Sequence, residues 1–110
     1  MMDREEMPLF MVKKEVFEWI KTGQKTIEIR KARAKSGDQA VFQCGQNILR
    51  GKIIRKHEGN LHTLLGSLNF KEIIPRANSV GEAKAYIEKL YGTTNGTFTA
   101  YQFSLIKVKT

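Results

Sequence analysis

The apolar positions of this chain change period several times, and each change marks an element. Pro8 to Val12 (PLFMV) is a short apolar run, which predicts a first strand buried in a sheet. Val12, Val16, Phe17 and Ile20 then fall at helical spacing. Lys13, Lys14, Glu15, Glu18 and Lys21 lie mostly off that stripe, and Gly23 stands where a helix stops, so a helix is expected from Lys13 to Thr22. Trp19 sits beside the stripe, suited to packing at the core margin or to lining a cleft. From Lys25 to Lys31 the period drops to two: Ile27 and Ile29 share one face of a strand, and Thr26, Glu28 and Arg30 share the other.

The next segment, ARAKSGDQ, reads as a loop closed by a Ser36-Gly37-Asp38 turn. Gln39 to Cys44 and Ile48 to Lys56 are two more strands, joined through Gly45-Gln46-Asn47 as a hairpin. Gly51 inside the second run points to a bulge or tight bend. Leu61, Leu64, Leu65 and Leu68 predict a short helix, with a further turn at Phe70, Ile73 and Ile74. Ser79 and Glu82 match a capping box, and Val80, Ala83, Ile87 and Leu90 carry a longer helix to Tyr91-Gly92. A last strand from Phe98 to Val108 places Tyr101, Phe103 and Leu105 on one core-facing side. The order is strand, helix, three strands, helices, strand. Clustered helices and short β connections predict an α+β fold with a mainly antiparallel or mixed sheet, and curling into a small barrel would hide its edges.

At 110 residues the chain is expected to form one domain, residues 1 to 110, around one core. No apolar run approaches the roughly 20 residues that span a bilayer, and the acidic start MMDREEMPLF lacks a signal-peptide pattern, so a cytoplasmic protein without membrane attachment, expected to be monomeric, is predicted. Cys44 stands alone, which excludes an internal disulfide and fits a small buried strand residue. His57 and His62 have no Cys or Asp cluster beside them and read as surface or cap residues, so neither a metal nor a cofactor is expected. Gly45 to Lys52 resembles a phosphate-binding loop only loosely: five residues separate its glycines, and Ile53 follows Lys52 where Ser or Thr is needed.

Charge changes the picture more than composition does. Of a net +8, the segment 25 to 56 carries nearly all, setting nine Lys and Arg against Glu28 and Asp38. Such a patch suits a phosphate-bearing partner or a merely well-solvated surface. The strand at Lys25 to Arg30 narrows the choice. It carries a lysine, a carboxylate and a guanidinium within six residues, more polar function than a structural strand requires. Lys25 offers a mobile ammonium for a phosphate and Arg30 a rigid fork for phosphate or a base edge. Glu28, which repels phosphate, can accept N–H groups of a base, orient its neighbours or act as an acid or base. The same three groups could also close the end of a barrel as an ion-pair network.

These residues resemble the ASCH (activating signal cointegrator homology) family, whose fold is a PUA-like β-barrel. The family's G-x-K-x-x-E-x-R run is filled by Gly23, Lys25, Glu28 and Arg30. Gly37-Asp38, Ile74-Pro75, Tyr91-Gly92 and an aromatic closing strand come after it in family order. The resemblance implies a small mixed or antiparallel barrel with helices packed at its side, and a cleft lined by the motif that holds RNA or a nucleotide. Lys31, Arg33, Lys35, Arg50 and Lys52 would then add phosphate attraction to the motif residues. Some members are amidohydrolases of N4-acetylcytidine, using the motif lysine, a threonine three residues later and a glutamate ahead of the last helix; others are reported to cleave single-stranded RNA. Here Lys25 fills the lysine's place, Glu28 stands in the threonine's, and Pro75-Arg76-Ala77-Asn78 brings no carboxylate. An enzyme of this kind would rest on Lys25 with Glu28 as its base. A scaffold that binds a protein through the basic face is the remaining alternative.

Overall fold

The computed structural model describes residues 7–106. Five strands and four helices occur there: β1 (Leu9–Met11), α1 (Lys14–Lys21), β2 (Ile27–Arg30), β3 (Gln39–Cys44), β4 (Asn47–Gly59), α2 (Leu61–Ser67), α3 (Phe70–Ile73), α4 (Val80–Tyr91) and β5 (Phe98–Leu105). The last strand ends at Leu105, with the described Ile106 already outside it, short of the predicted Val108; residues 107–110 and the acidic start at 1–6 lie outside the described residues. No helix among the described residues is long and apolar enough to cross a membrane.

The strands form one mixed sheet in the order β1-β3-β4-β5-β2, parallel between β1 and β3 and antiparallel elsewhere. It curls into a half-barrel with the helices alongside, the expected α+β class. Alternation gives the sheet two useful faces. Glu28 lies opposite Tyr101 and Ile29 opposite Ala100, so Glu28 and Arg30 share the side of Tyr101 while Ile27 and Ile29 take the other. On the inner side Phe10 stacks at 5.0 Å from Tyr101 and 5.7 Å from Phe42, which meets Phe103 at 4.6 Å. On the other, Phe98 meets Tyr91 of α4 edge-on at 5.8 Å.

Gly51 is not a bulge: it pairs in register with Ala40 and Leu105. The ladder slips instead between Ile53 and Arg55, leaving Ile54 as the extra, exposed residue. Gly51 is glycine because the backbone there runs against two rings: a Cβ would stand 3.1 Å from Phe103 and 3.3 Å from Phe42. Cys44 is only half-buried at the end of β3 rather than sunk in the core, since its strand stops at the hairpin.

Two turns fix the chain around the central strand. At the end of α1, Gly23 takes φ 83°, and the reversed chain lets Lys25 N donate to Trp19 O at 3.0 Å. At the start of α4, Ser79 Oγ accepts from Glu82 N at 3.1 Å while Glu82 Oε1 accepts from Asn78 N at 2.9 Å, a capping box displaced by one residue.

Candidate functional site

The sheet does not close on itself: β1 and β2 are its two edges. Across that seam lies a pocket of about 170 Å³, walled by Met11 to Lys13 and Val16 on one side, by Lys25 and Glu28 to Arg30 of the central segment, and by Ile73, Ile74, Tyr86, Ile87, Leu90 and Tyr91 on the other. The three motif charges thus meet at one hollow. A cavity of about 150 Å³ takes a benzene ring, so the space suits one ring-sized group. It is too small for an extended ligand, since drug-sized pockets start at about 300 Å³.

Lys25 is not the mobile ammonium expected of it. It is 3% exposed, and its position is fixed at both ends. Its neighbour Thr26 is clamped to Glu72, N to O at 3.0 Å and Oγ1 to Oε1 at 2.6 Å. Its Nζ donates to Ile27 O at 2.8 Å and to Ile73 O at 2.6 Å, and stands 3.3 Å from Glu28 Oε1. A lysine has three N–H groups, and these are three acceptors. Burial lowers its pKa, an effect that Glu28 partly opposes.

Glu28 is held between two cations, since its other oxygen accepts from Arg30 Nε at 2.6 Å. The Arg30 guanidinium lies over the Phe10 ring at 4.8 Å, so the aromatic core aims it. Its Nη2 donates to Met11 O at 2.9 Å, bridging the two sheet edges. Of its five N–H groups, two are thereby used, and three have no partner among the described residues. At 27% exposure Arg30 is the most exposed of the three motif charges. Tyr91 donates to Ile29 O at 3.2 Å, and its pKa is raised, chiefly by burial.

The remaining basic residues nominated by the sequence go elsewhere. Lys31, Arg33, Lys35, Arg50 and Lys52 are all exposed, and none of the five lines the pocket. Arg50 and Lys52 alternate on β4 with the buried Gly51 and Ile53 and face outward. Conversely, Lys13, Tyr86 and Tyr91 reach the pocket although the sequence nominates none of them for the site; Lys13 reads there as one more charge on the polar side of a helix, and Tyr91 as the end of one. Trp19 packs in the core 6.0 Å from Tyr86. His57 is half-buried, its Nε2 2.8 Å from Gln102 Oε1, and His62 is exposed. Among the described residues no group of three or more His, Cys, Asp or Glu is placed to hold a metal.

A curled mixed sheet with helices on one flank defines a class of small α+β fold, and solved structures share that fold. The hypothetical protein PH0355 superposes with a TM-score of 0.75 at 16% identity, over 92% of this chain and 100% of that one. Protein PF0455 from Pyrococcus furiosus gives 0.68 at 18% identity, over 94% and 100%. ASCH from Zymomonas mobilis gives 0.64 at 19% identity over 87% of this chain, which spans 65% of that protein. The chain has an ASCH-type fold. No protein-family model and no curated protein sequence matches it.

Proposed function

We propose that the seam pocket binds the base of a nucleotide, free or within RNA. The observation that carries this reading is Arg30: a guanidinium fixed by Phe10, Glu28 and Met11, with three unspent N–H groups at a ring-sized hollow. A planar fork of donors matches the paired acceptors of a base edge. Glu28 retains lone pairs that can accept an amino group, and the apolar walls contributed by Val16, Ile74 and Ile87 suit the faces of a ring. Lys25 acts from behind, holding Glu28 and the strand in place. Lys31, Arg33, Lys35, Arg50 and Lys52 supply long-range attraction to phosphates, not recognition. With about six phosphates engaged, affinity for single-stranded RNA should fall by ~10³ or more between 50 and 200 mM salt.

The test is a calorimetric or chemical-shift titration with nucleoside monophosphates and short single-stranded RNA. Arg30→Ala is expected to weaken binding at least tenfold, and Lys35→Ala only through its salt-dependent part. Equal losses would place recognition outside the pocket.

A second reading is supported by the lowered pKa of Lys25 beside Glu28, an arrangement that can activate a lysine in a hydrolase. Against it stand the carbonyls of Ile27 and Ile73, which occupy the ammonium. Product formed from N4-acetylcytidine or single-stranded RNA by the wild type and lost in Lys25→Ala would establish it.

A further inference from the structure

On the far side of Tyr86 lies a second, more open hollow of about 290 Å³ that shares Tyr86 and Ile74 with the seam pocket as a common wall. Its polar side chains are Arg76, Lys89 and Glu82. Glu82 caps the start of α4, its Oε1 accepting from Asn78 N at 2.9 Å, and it is the hollow's one carboxylate. Arg76 is 62% exposed, pairs through Nη1 with Glu15 Oε1 at 2.8 Å and lies 5.1 Å from the Tyr86 ring centre; its Nε and Nη2 have no partner among the described residues. Lys89 is exposed in the last turn of α4. The wall between the hollows adds no negative charge near neutral pH. Burial and the Glu15 carboxylate push the Tyr86 pKa up to about 12, and its hydroxyl donates to Glu15 Oε2 at 3.2 Å. Lys13 stands 5.8 Å from the same ring and lines the seam pocket.

We propose that this hollow is a phosphate subsite, in which Arg76 and Lys89 hold a phosphate of the ligand whose base occupies the seam pocket. The inference rests on the base-pocket reading for its geometry. In the seam pocket Glu28 is buried, the Lys25 donors are spent, and the free Arg30 nitrogens are assigned to the base, so the phosphate is sought in the adjoining hollow. The basic loop after β2 does not reach the pocket, whereas the Arg76 hollow adjoins it directly. A guanidinium with two free nitrogens and a neighbouring ammonium is the donor set that phosphate oxygens need. A bound RNA would therefore leave the pocket over Tyr86 toward Arg76 and Lys89.

The experiment compares the four nucleosides with their 3′- and 5′-monophosphates, by calorimetry and amide chemical shifts, on wild type, Arg76→Gln, Lys89→Glu and Lys35→Glu. Lys89 is exposed, so Lys89→Glu is expected to fold, which circular dichroism checks. At least one monophosphate is expected to bind tenfold or more tighter than its nucleoside, and Lys89→Glu and Arg76→Gln should remove that gain while leaving nucleoside affinity unchanged. A gain that is absent in the wild type, survives both substitutions, or is lost only in Lys35→Glu overturns the subsite while leaving the base pocket standing. If no nucleoside binds, the base-pocket reading falls, and inorganic phosphate alone decides the subsite. Shifts at the Arg76 and Lys89 amides that vanish in Lys89→Glu sustain it, and their absence ends it.

Discussion

Replacing Lys25 by Met keeps most of the side chain's length and apolar stem and removes only the ammonium. The structure gives the consequence a size. Two hydrogen bonds from a charged donor are lost, at Ile27 O and Ile73 O, each worth about 1.5–3 kcal/mol. Glu28, buried, loses one of its two cations; breaking a buried pair from one side costs about 3–5 kcal/mol. Two effects work the other way. Glu28 keeps Arg30 Nε at 2.6 Å, and the methionine carries no charge to desolvate, the effect that lowers the Lys25 pKa. The net expectation is a loss of about 3 kcal/mol, a large part of the ~5–15 kcal/mol a domain has in total. Trp19, the single tryptophan, is 9% exposed and reports unfolding by its fluorescence in a urea titration. Because the lost partner is what makes Glu28 costly, Lys25→Met with Glu28→Gln should be more stable than the two single losses added together, by at least about 1 kcal/mol. A Lys25→Met protein within about 0.5 kcal/mol of wild type, or strict additivity in the double variant, would refute the network as described.

The same geometry sets two further outcomes. Gly51→Ala drives a Cβ to 3.1 Å from Phe103 and 3.3 Å from Phe42, and should cost about 1–3 kcal/mol by overpacking; unchanged thermal unfolding would show that the rings yield freely. The pH dependence has opposite signs at two sites. Between the lowered folded pKa of Lys25 and its ordinary 10.5, the unfolded chain binds a proton that the folded chain does not, so stability rises with pH across that window, and Lys25→Met should lack the rise. Tyr86, raised from 10.0 to about 12, contributes stability that is present below pH 10 and is lost as pH climbs toward 12, a loss that Tyr86→Phe should reduce. Urea midpoints measured from pH 8 to 11.5 test both, and a wild-type curve parallel to both variants would contradict the assignments.

What the sequence discloses about this site is its local half. The alternation of Ile27 and Ile29 with Glu28 and Arg30 separates the strand's two faces as β2 displays them, and Gly23 marks the turn that delivers Lys25. Alternation cannot report that both faces are buried, because that depends on β5 beside the strand, on α3 packed against it and on Tyr91 of α4 reaching Ile29 O. The partner that immobilises Lys25 is the carbonyl of Ile73, 48 residues away, and a backbone carbonyl leaves no mark in a residue pattern. Tyr86 is hidden for a similar reason: it lies on a partly exposed side of α4 and matters only because Arg76 and Glu15 arrive beside it from other elements. Net charge points to a different set: it nominates Lys31, Arg33, Lys35, Arg50 and Lys52 for phosphate attraction, and these are exposed and lie outside the pocket lining.

The fold and the site have a common cause in the unclosed seam. Had β1 and β2 paired, their backbone groups would have satisfied one another and the gap that forms the pocket would be filled by a ladder about 4.8 Å wide. Instead the edges are bridged by a side chain, Arg30 Nη2 on Met11 O, and a guanidinium can make that bridge and still present unspent donors. Edge strands attract other chains, and β1 and β2 are only three and four residues long, a length that limits such pairing. An arginine over Phe10 therefore serves the sheet and the pocket together. Arg30→Met, which keeps the contact with Phe10 but takes one of buried Glu28's two cations and all the guanidinium donors, should lower the urea midpoint as Lys25→Met does and leave Glu28 as the motif's remaining polar contact for a base, weakening nucleotide binding at least tenfold in the same titration.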